Sequence, residues 1–389
     1  MRHANSHSRL TRWLASFIAA WLSLQLLQSK QTPGFTDTVA EPKGVPGAEP
    51  KTVRYANDVP GAESKTIRYA GRTLDLTLFA VVRALDVIGG ELWHRRKLRR
   101  QAARKWTAAE AAISRLTDPA VFALSSGLVM WTWIYLPTRL PRAYNKWIGS
   151  AAAVDARLIE ALQRCHDRTI LYGKDTGHAP LLGSMCADYG MPRAWGDPSR
   201  CIPFPCELVH MGAGSSCEYH AVVRFARSFR WALATYLPLN LALVVRHPNP
   251  RALRRALLSA ARSSAFLGTF ITLFYYGVCL TRTRVGPHIL GTTPAARQSL
   301  DGGCCIGAGC VLCGWSILLE KPARRKDMAL FVAPRALATL FPRRYARDKQ
   351  WRETLVFAAS TAVVFTCVLE RPQRVRGFFG GMLEGVLGE

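Results

Sequence analysis

What the chain of 389 residues lacks narrows its class before any motif is read. There is no GxSxG elbow, no HExxH pair, no glycine-rich phosphate loop and no pair of carboxylates in an apolar context. Nucleophilic, zinc-hydrolytic and phosphoryl-transfer chemistries need those groups at close spacing, so the expectation is a protein that is not an enzyme. Acidic residues are scarce, 26 against 52 Lys and Arg, for a net charge of +26. A basic balance of that size often serves phosphate contacts. Zinc-finger spacing, an RNP-like aromatic strand and helix-turn-helix grammar are missing as well, however, and we expect no nucleic acid partner. The eleven cysteines are odd in number. Four of them, Cys304, Cys305, Cys310 and Cys313, fall inside one apolar run, unlike a secreted disulfide framework. Reduced thiols are expected.

What the chain has in quantity is apolar residue, 49% of the total, gathered into long uncharged runs separated by basic segments. Ser263 to Thr281 is nineteen residues without a charge, closed by Arg262 and Arg282. As a helix it covers the roughly 30 Å hydrocarbon layer, with both arginines placed to snorkel into head groups. Pro119 to Thr138 is a second such run, with Trp131, Trp133 and Tyr135 gathered at one end like an aromatic belt. Trp231 to Val245, Gly302 to Leu319 and Thr354 to Leu369 complete the set, the first and last short enough to require tilt or thinning. Between the last two lies Met328 to Phe341, where Pro334 and Arg335 would put a broken helix and a charge at mid-membrane. That segment is expected to lie along or dip into the interface. With it excluded, Arg246 to Arg262 and Lys321 to Arg352 share one side, as the positive-inside rule requires. The fold class that follows is all-α: a multi-span helical membrane protein with amphipathic helices and a disordered N-terminal linker.

Composition divides the chain into five parts. Residues 1–30 have no acid and hold the apolar run Trp13 to Leu27, which reads as a targeting segment or a short anchor. Residues 31–72 carry a tandem repeat, VPGAEPKTVRYA at Val45 to Ala56 and VPGAESKTIRYA at Val59 to Ala70. Two short polar copies cannot bury a core, so this part is expected to be disordered. Residues 73–171 hold interfacial helices, the first full span and the basic run His94 to Lys105, which suits either a solvated helix face or anionic lipid head groups. Within that part, Ala151 to Leu171 reads as one polar amphipathic helix. Residues 172–220 are rich in Gly, Pro, Cys and His and read as a long irregular loop. Residues 221–389 form the C-terminal multi-span domain.

Two constellations remain. Gly303, Gly307, Cys310 and Gly314 fall at i, i+4, i+7 and i+11, a face of small residues that lets a neighbouring helix approach closely, and Gly377, Gly381 and Gly385 repeat the device. Filling Gly307 is therefore expected to disturb packing. Cys206, His210, Cys217 and His220 are spaced C-x3-H-x6-C-x2-H. They could close a tetrahedral zinc site; alternatively Cys206 and Cys217 pair as a disulfide, or all four are ordinary packing residues. No metal and no other cofactor is committed to on sequence grounds.

The blocks CELVHMGAGSSCEYH, RSFRWALATYLPLNLAL, SSAFLGTFITLFYYGVCLTRTR, GWSILLEKPARR, MALFVAPRALATLFPRRY and RPQRVRGFFG, with TLDLTLFAVVRALDV and MWTWIYLPTRLPRAYNKWI ahead of them, resemble the fungal branch of the transmembrane protein 135 family. The resemblance covers about Thr73 to Glu389 and retains Cys206, His210 and Cys217 better than His220. It implies a multi-pass protein of peroxisomes or mitochondria concerned with organelle dynamics and lipid or sterol handling, distantly similar to glycine-rich inner-membrane translocases. The expected function is a non-enzymatic organiser or regulator of organelle membrane or lipid. Its partners would be the bilayer, anionic head groups at the basic segments, and other membrane proteins or a second copy. Two rivals stand beside it: a pore or translocation subunit built on the glycine faces, and a metal-dependent membrane enzyme using the Cys/His loop.

Overall fold

The computed structural model describes residues 2–30, 35–41, 63–245, 249–371 and 374–387. Its helices are α1 Arg2–Ser29, α2 Leu74–Ala102, α3 Ala108–Tyr135, α4 Arg142–Ala152, α5 Ala156–His166, α6 Ala179–Asp188, α7 Cys206–Val209, α8 Cys217–Val245, α9 Pro250–Leu280, α10 Gly286–Leu290, α11 Pro294–Ser299, α12 Cys305–Cys313, α13 Pro322–Ala338, α14 Gln350–Glu370 and α15 Phe378–Leu387. Among the described residues the strands are β1 Thr36–Glu41, β2 Glu63–Ala70 and β3 Tyr345–Ala346. Four stretches among the described residues are long and apolar enough to cross a membrane: Arg9–Ser29, Pro250–Leu290, Pro294–Leu319 and Arg347–Glu370. The chain is a helical multi-span membrane protein.

Two runs expected as spans are not among those four. Pro119 to Thr138 falls in α3, where Pro119, Ser125, Ser126, Gly127 and Thr132 dilute the apolar content. The helix buries Phe122, Val129, Met130, Trp133 and Ile134 in the main core, which it shares with Phe266, Leu267 and Ile271 of the stretch 250–290. Trp231 to Val245 ends α8, interrupted by Pro238 and Asn240. Met328 to Phe341 forms the second half of α13 and the turn after it. Pro334 is accommodated inside the helix, and the buried Ala329, Leu330, Ala333 and Ala336 lie on the side that packs against α3. The last turn of α13 is held by Arg139, whose Nη1 donates to the Thr339 carbonyl at 3.1 Å.

The chain folds as two units, Met1–Thr107 with Leu340–Glu389, and Ala108–Thr339. The first unit joins the two ends of the chain because α14 packs with α1 and α2. In the first unit Ala84, Val87, Val364, Val368, Val375 and Leu383 form a small core. Polar groups pin its helices together: the Thr73 hydroxyl donates to Glu353, Gln28 Nε2 donates to Thr73 Oγ1 at 3.0 Å, and Thr354 donates to Gln28 Oε1 at 3.0 Å. Leu24 is fully buried and α1 packs against α14.

Within the stretch expected to be disordered, β1 pairs antiparallel with β2 from Thr36↔Arg68 to Glu41↔Glu63, and Tyr69 and Ala70 pair with Ala346 and Tyr345. The second repeat copy therefore finds its partners outside the repeat, in β1 ahead of it and in the distant β3, a pairing that two-copy logic cannot reveal. The first copy lies outside the described residues. Gly71 follows β2 at φ 113°, and a Cβ there would sit 2.3 Å from the Arg343 carbonyl oxygen, so the turn takes glycine alone.

The second unit is built on α9. Asn249 caps it, its side chain accepting from the Arg251 N–H at 2.9 Å, and Pro250 occupies the first turn. At 31 residues the helix spans about 46 Å. It packs against α8 and α12, α12 packs against α3, and α3 against α13. The expected single helix from Ala151 to Leu171 is broken: Ala153 takes a left-handed conformation (φ 48°), and Asp155 starts α5 by accepting from the Arg157 N–H at 2.9 Å. Residues 172–216 are no loose loop. Leu182, Met185, Cys186, Phe204 and Leu208 form a second core with Leu158, Ala161, Cys165, Ile170 and Tyr172. Helical spacing of apolar residues over Ala179–Asp188 is the signal, masked in sequence by surrounding Gly and Pro.

Candidate functional site

The Cys/His constellation assembles at the point where this second core meets α8 and α9. Pro205 leads into the single turn α7, which places Cys206 and His210 four residues apart on one side, with the His210 N–H bonded to the Cys206 carbonyl at 2.7 Å. The chain then reverses through Met211, Gly212 and Gly214, all at positive φ, and Cys217 opens α8. As a result Cys206 Sγ, Cys217 Sγ and a His210 ring nitrogen lie within 4.8 Å of one another. His210 Nδ1 donates to the Gly214 carbonyl at 2.8 Å, which fixes the tautomer and leaves Nε2 with its lone pair facing the sulfurs.

The fourth sequence candidate, His220, does not join them. Its ring stacks on His210 at 4.3 Å and 11°, edge-on to Tyr275, and neither nitrogen has a hydrogen-bond partner. Burial, with the neighbouring His210 second, pushes it down to about 3, so it is a neutral packing ring. The sulfur that approaches His210 is Cys279 of α9, whose Sγ lies 3.2 Å from His210 Nε2. No local spacing could have named Cys279, which stands in an apolar run far along the chain. Burial holds the His210 imidazole below its ordinary value and pushes the Cys206 thiol up. All eleven cysteines are free thiols, so the Cys206–Cys217 disulfide alternative is not formed.

A buried charge pair lies one turn further along. Arg282 does not snorkel as the flank of a span. It is buried, with Nε 2.6 Å from Asp301 Oδ1 and Nη2 3.0 Å from Oδ2, and the Tyr172 hydroxyl donates to the same carboxylate. Burial and that carboxylate push Tyr172 well above its ordinary value, keeping it a donor. Both charged residues sit in π-turns, Thr281–Val285 and Leu300–Cys304, which locally rotate side chains inward. Gly303 makes the second turn possible: its φ is 152°, and a Cβ would sit 3.2 Å from Trp131. Arg262, the other flank, is exposed.

Between α3, α4, α8, α9 and α13 lies an open cavity of about 410 Å³. Phe122, Met130, Trp147, Phe266, Phe270 and Phe331 give it a nearly continuous apolar wall, relieved by Ser126 and two tyrosines. Ser126 Oγ is occupied by the Phe122 carbonyl at 2.8 Å. No charged side chain lines the cavity. It was not anticipated, since its lining is scattered over five helices.

The small-residue face of α12 is used as expected, though unevenly. A Cβ on Gly314 would lie 2.3 Å from Ala123 Cα, and Cys310 backs onto Gly127 of α3. Gly303 and Gly307 both face Trp131, and a Cβ on Gly307 would meet Trp131 Cζ3 at 3.8 Å, an ordinary contact. Its role as the tight contact is therefore corrected. The tight point that the pattern missed is Gly309, on the opposite face, where a Cβ would lie 2.7 Å from the Phe274 carbonyl oxygen of α9. The C-terminal set does not pack: Gly381 and Gly385 have nothing within 4 Å, and Gly377 is a turn residue at φ 84°. Gly380 makes the close approach instead, to Val375. Comparison with family models, with curated proteins and with solved structures gives no match.

Proposed function

We propose that the chain is a non-enzymatic membrane protein of an organelle, peroxisomal or mitochondrial, that handles lipid by holding a hydrocarbon chain in the cavity of its second unit. The observation that carries this is the cavity's wall. Phe266, Leu267, Phe270 and Ile271 belong to the uncharged stretch of α9, so the opening lies at hydrocarbon depth, where an apolar space of about 410 Å³ takes acyl carbon in preference to water. The likeness of the sequence blocks to the transmembrane protein 135 family points the same way and supplies the organelle. Basic residues on the second half of α2 are proposed to meet anionic head groups. The glycine faces of α12 are filled by α3 and α9 of the same chain, which favours a binding protein over a pore subunit. In proteoliposomes, a photoactivatable fatty acid should crosslink to residues of α3 and α9 around Met130 and Phe270. Ala151→Trp should fill the space and reduce that crosslinking several-fold. Absence of crosslinks there, or crosslinking that Ala151→Trp leaves unchanged, overturns the reading.

A further inference from the structure

We propose that Cys206, His210, Cys217 and Cys279 bind one zinc ion as a closed Cys3His site that fastens the 172–216 segment to α8 and α9. Zinc takes thiolate at about 2.3 Å and imidazole at about 2.0 Å in a tetrahedron. Neighbouring ligand atoms in such a site stand roughly 3.4–3.8 Å apart. His210 Nε2 and Cys279 Sγ are already 3.2 Å apart, and the Cys206, Cys217 and His210 atoms lie within 4.8 Å of one another. Cys206, His210 and Cys217 already converge, and Cys279, which reaches them through His210, completes the set by rotating its side chain toward the other two sulfurs. Three sulfurs and one nitrogen select a soft or borderline ion and exclude magnesium and calcium.

The surroundings fit the same ion. His210 is oriented from behind by the Gly214 carbonyl, the outer contact that metal-bound histidines use. Cys217, Cys279 and His210 are buried, while Cys206 is partly open and gives the route of entry. On binding, the three thiols release their protons to water, leaving zinc with three thiolates and a net charge of −1. Four protein ligands leave no open position, so the ion is structural and offers nothing to a catalytic reading of this loop.

Full-length protein purified in detergent through a tag without histidine decides the matter by metal analysis and zinc-edge X-ray absorption. The expected result is one zinc per chain, with a shell of three sulfurs and one nitrogen. Cys279→Ser should lose most of the zinc, whereas His220→Ala should retain it. Protein without stoichiometric zinc, a shell with two nitrogens, or loss on His220→Ala with retention on Cys279→Ser overturns the assignment. Should either variant fail to fold, the sulfur count of the unmodified protein decides alone. The cavity can fail its crosslinking test without touching this result, since none of the four ligands lines it.

Discussion

Alanine placed at Gly307 and at Gly314 should shift stability in opposite directions, although the two glycines share one sequence pattern. Both residues have helical backbone, so each alanine gains up to about 1 kcal/mol through the entropy that glycine loses on folding. At Gly307 the new methyl would find only Trp131 Cζ3 at 3.8 Å, an ordinary contact, and the gain of about 0.4–1 kcal/mol survives. At Gly314 it would lie 2.3 Å from Ala123 Cα, 2.6 Å from Ser126 Oγ and 2.9 Å from Ala123 Cβ. Carbon atoms pack best at about 3.5–4.0 Å, so the segment would have to retreat from α3 by roughly 1 Å or more. Two of the three obstructing atoms are fixed to backbone and cannot rotate away. Overpacking of this kind costs about 1–3 kcal/mol, which outweighs the entropic gain. Thermal unfolding in detergent, followed by tryptophan fluorescence, should place Gly307→Ala at or above the parent and Gly314→Ala several degrees below. If the two variants shift in the same direction by similar amounts, the close-approach account of α12 against α3 is wrong.

Removing one partner of the buried pair, as in Arg282→Met, should cost about 3–5 kcal/mol because Asp301 is left charged and uncompensated, while Arg282→Met with Asp301→Leu should recover much of that loss in the same unfolding assay; equal losses for single and double variants would refute it. Asp155→Ala should weaken the start of α5 by about 1 kcal/mol through loss of the cap. Its carboxyl is held below the ordinary value by the Arg157 hydrogen bond. The contribution is therefore present above about pH 4, the unfolded value, and is lost as the pH falls through the lowered folded one. A pH titration of unfolding in which Asp155→Ala and the parent differ equally at all acid pH would contradict this.

The sequence by itself determined the helical class, three of the full-length apolar helices and the one-sided use of Gly314 and Cys310, because helix length, charge exclusion and i, i+4, i+7 spacing are local properties that survive in any tertiary arrangement. It also brought Cys206, His210 and Cys217 into one set, since a turn of helix and a glycine reversal keep near neighbours near. Tertiary structure alone decided the rest. Which residues of an apolar helix face lipid and which face protein depends on what packs beside it, as the buried Phe122 and Trp133 of α3 show. Arg282 turned inward because a π-turn and Asp301, nineteen residues on, offered a buried partner that a flank position does not advertise. His220 gave way to Cys279 for the same reason: a tetrahedral set is chosen by distance in space, and α9 delivers a sulfur where α8 turns its histidine flat against His210.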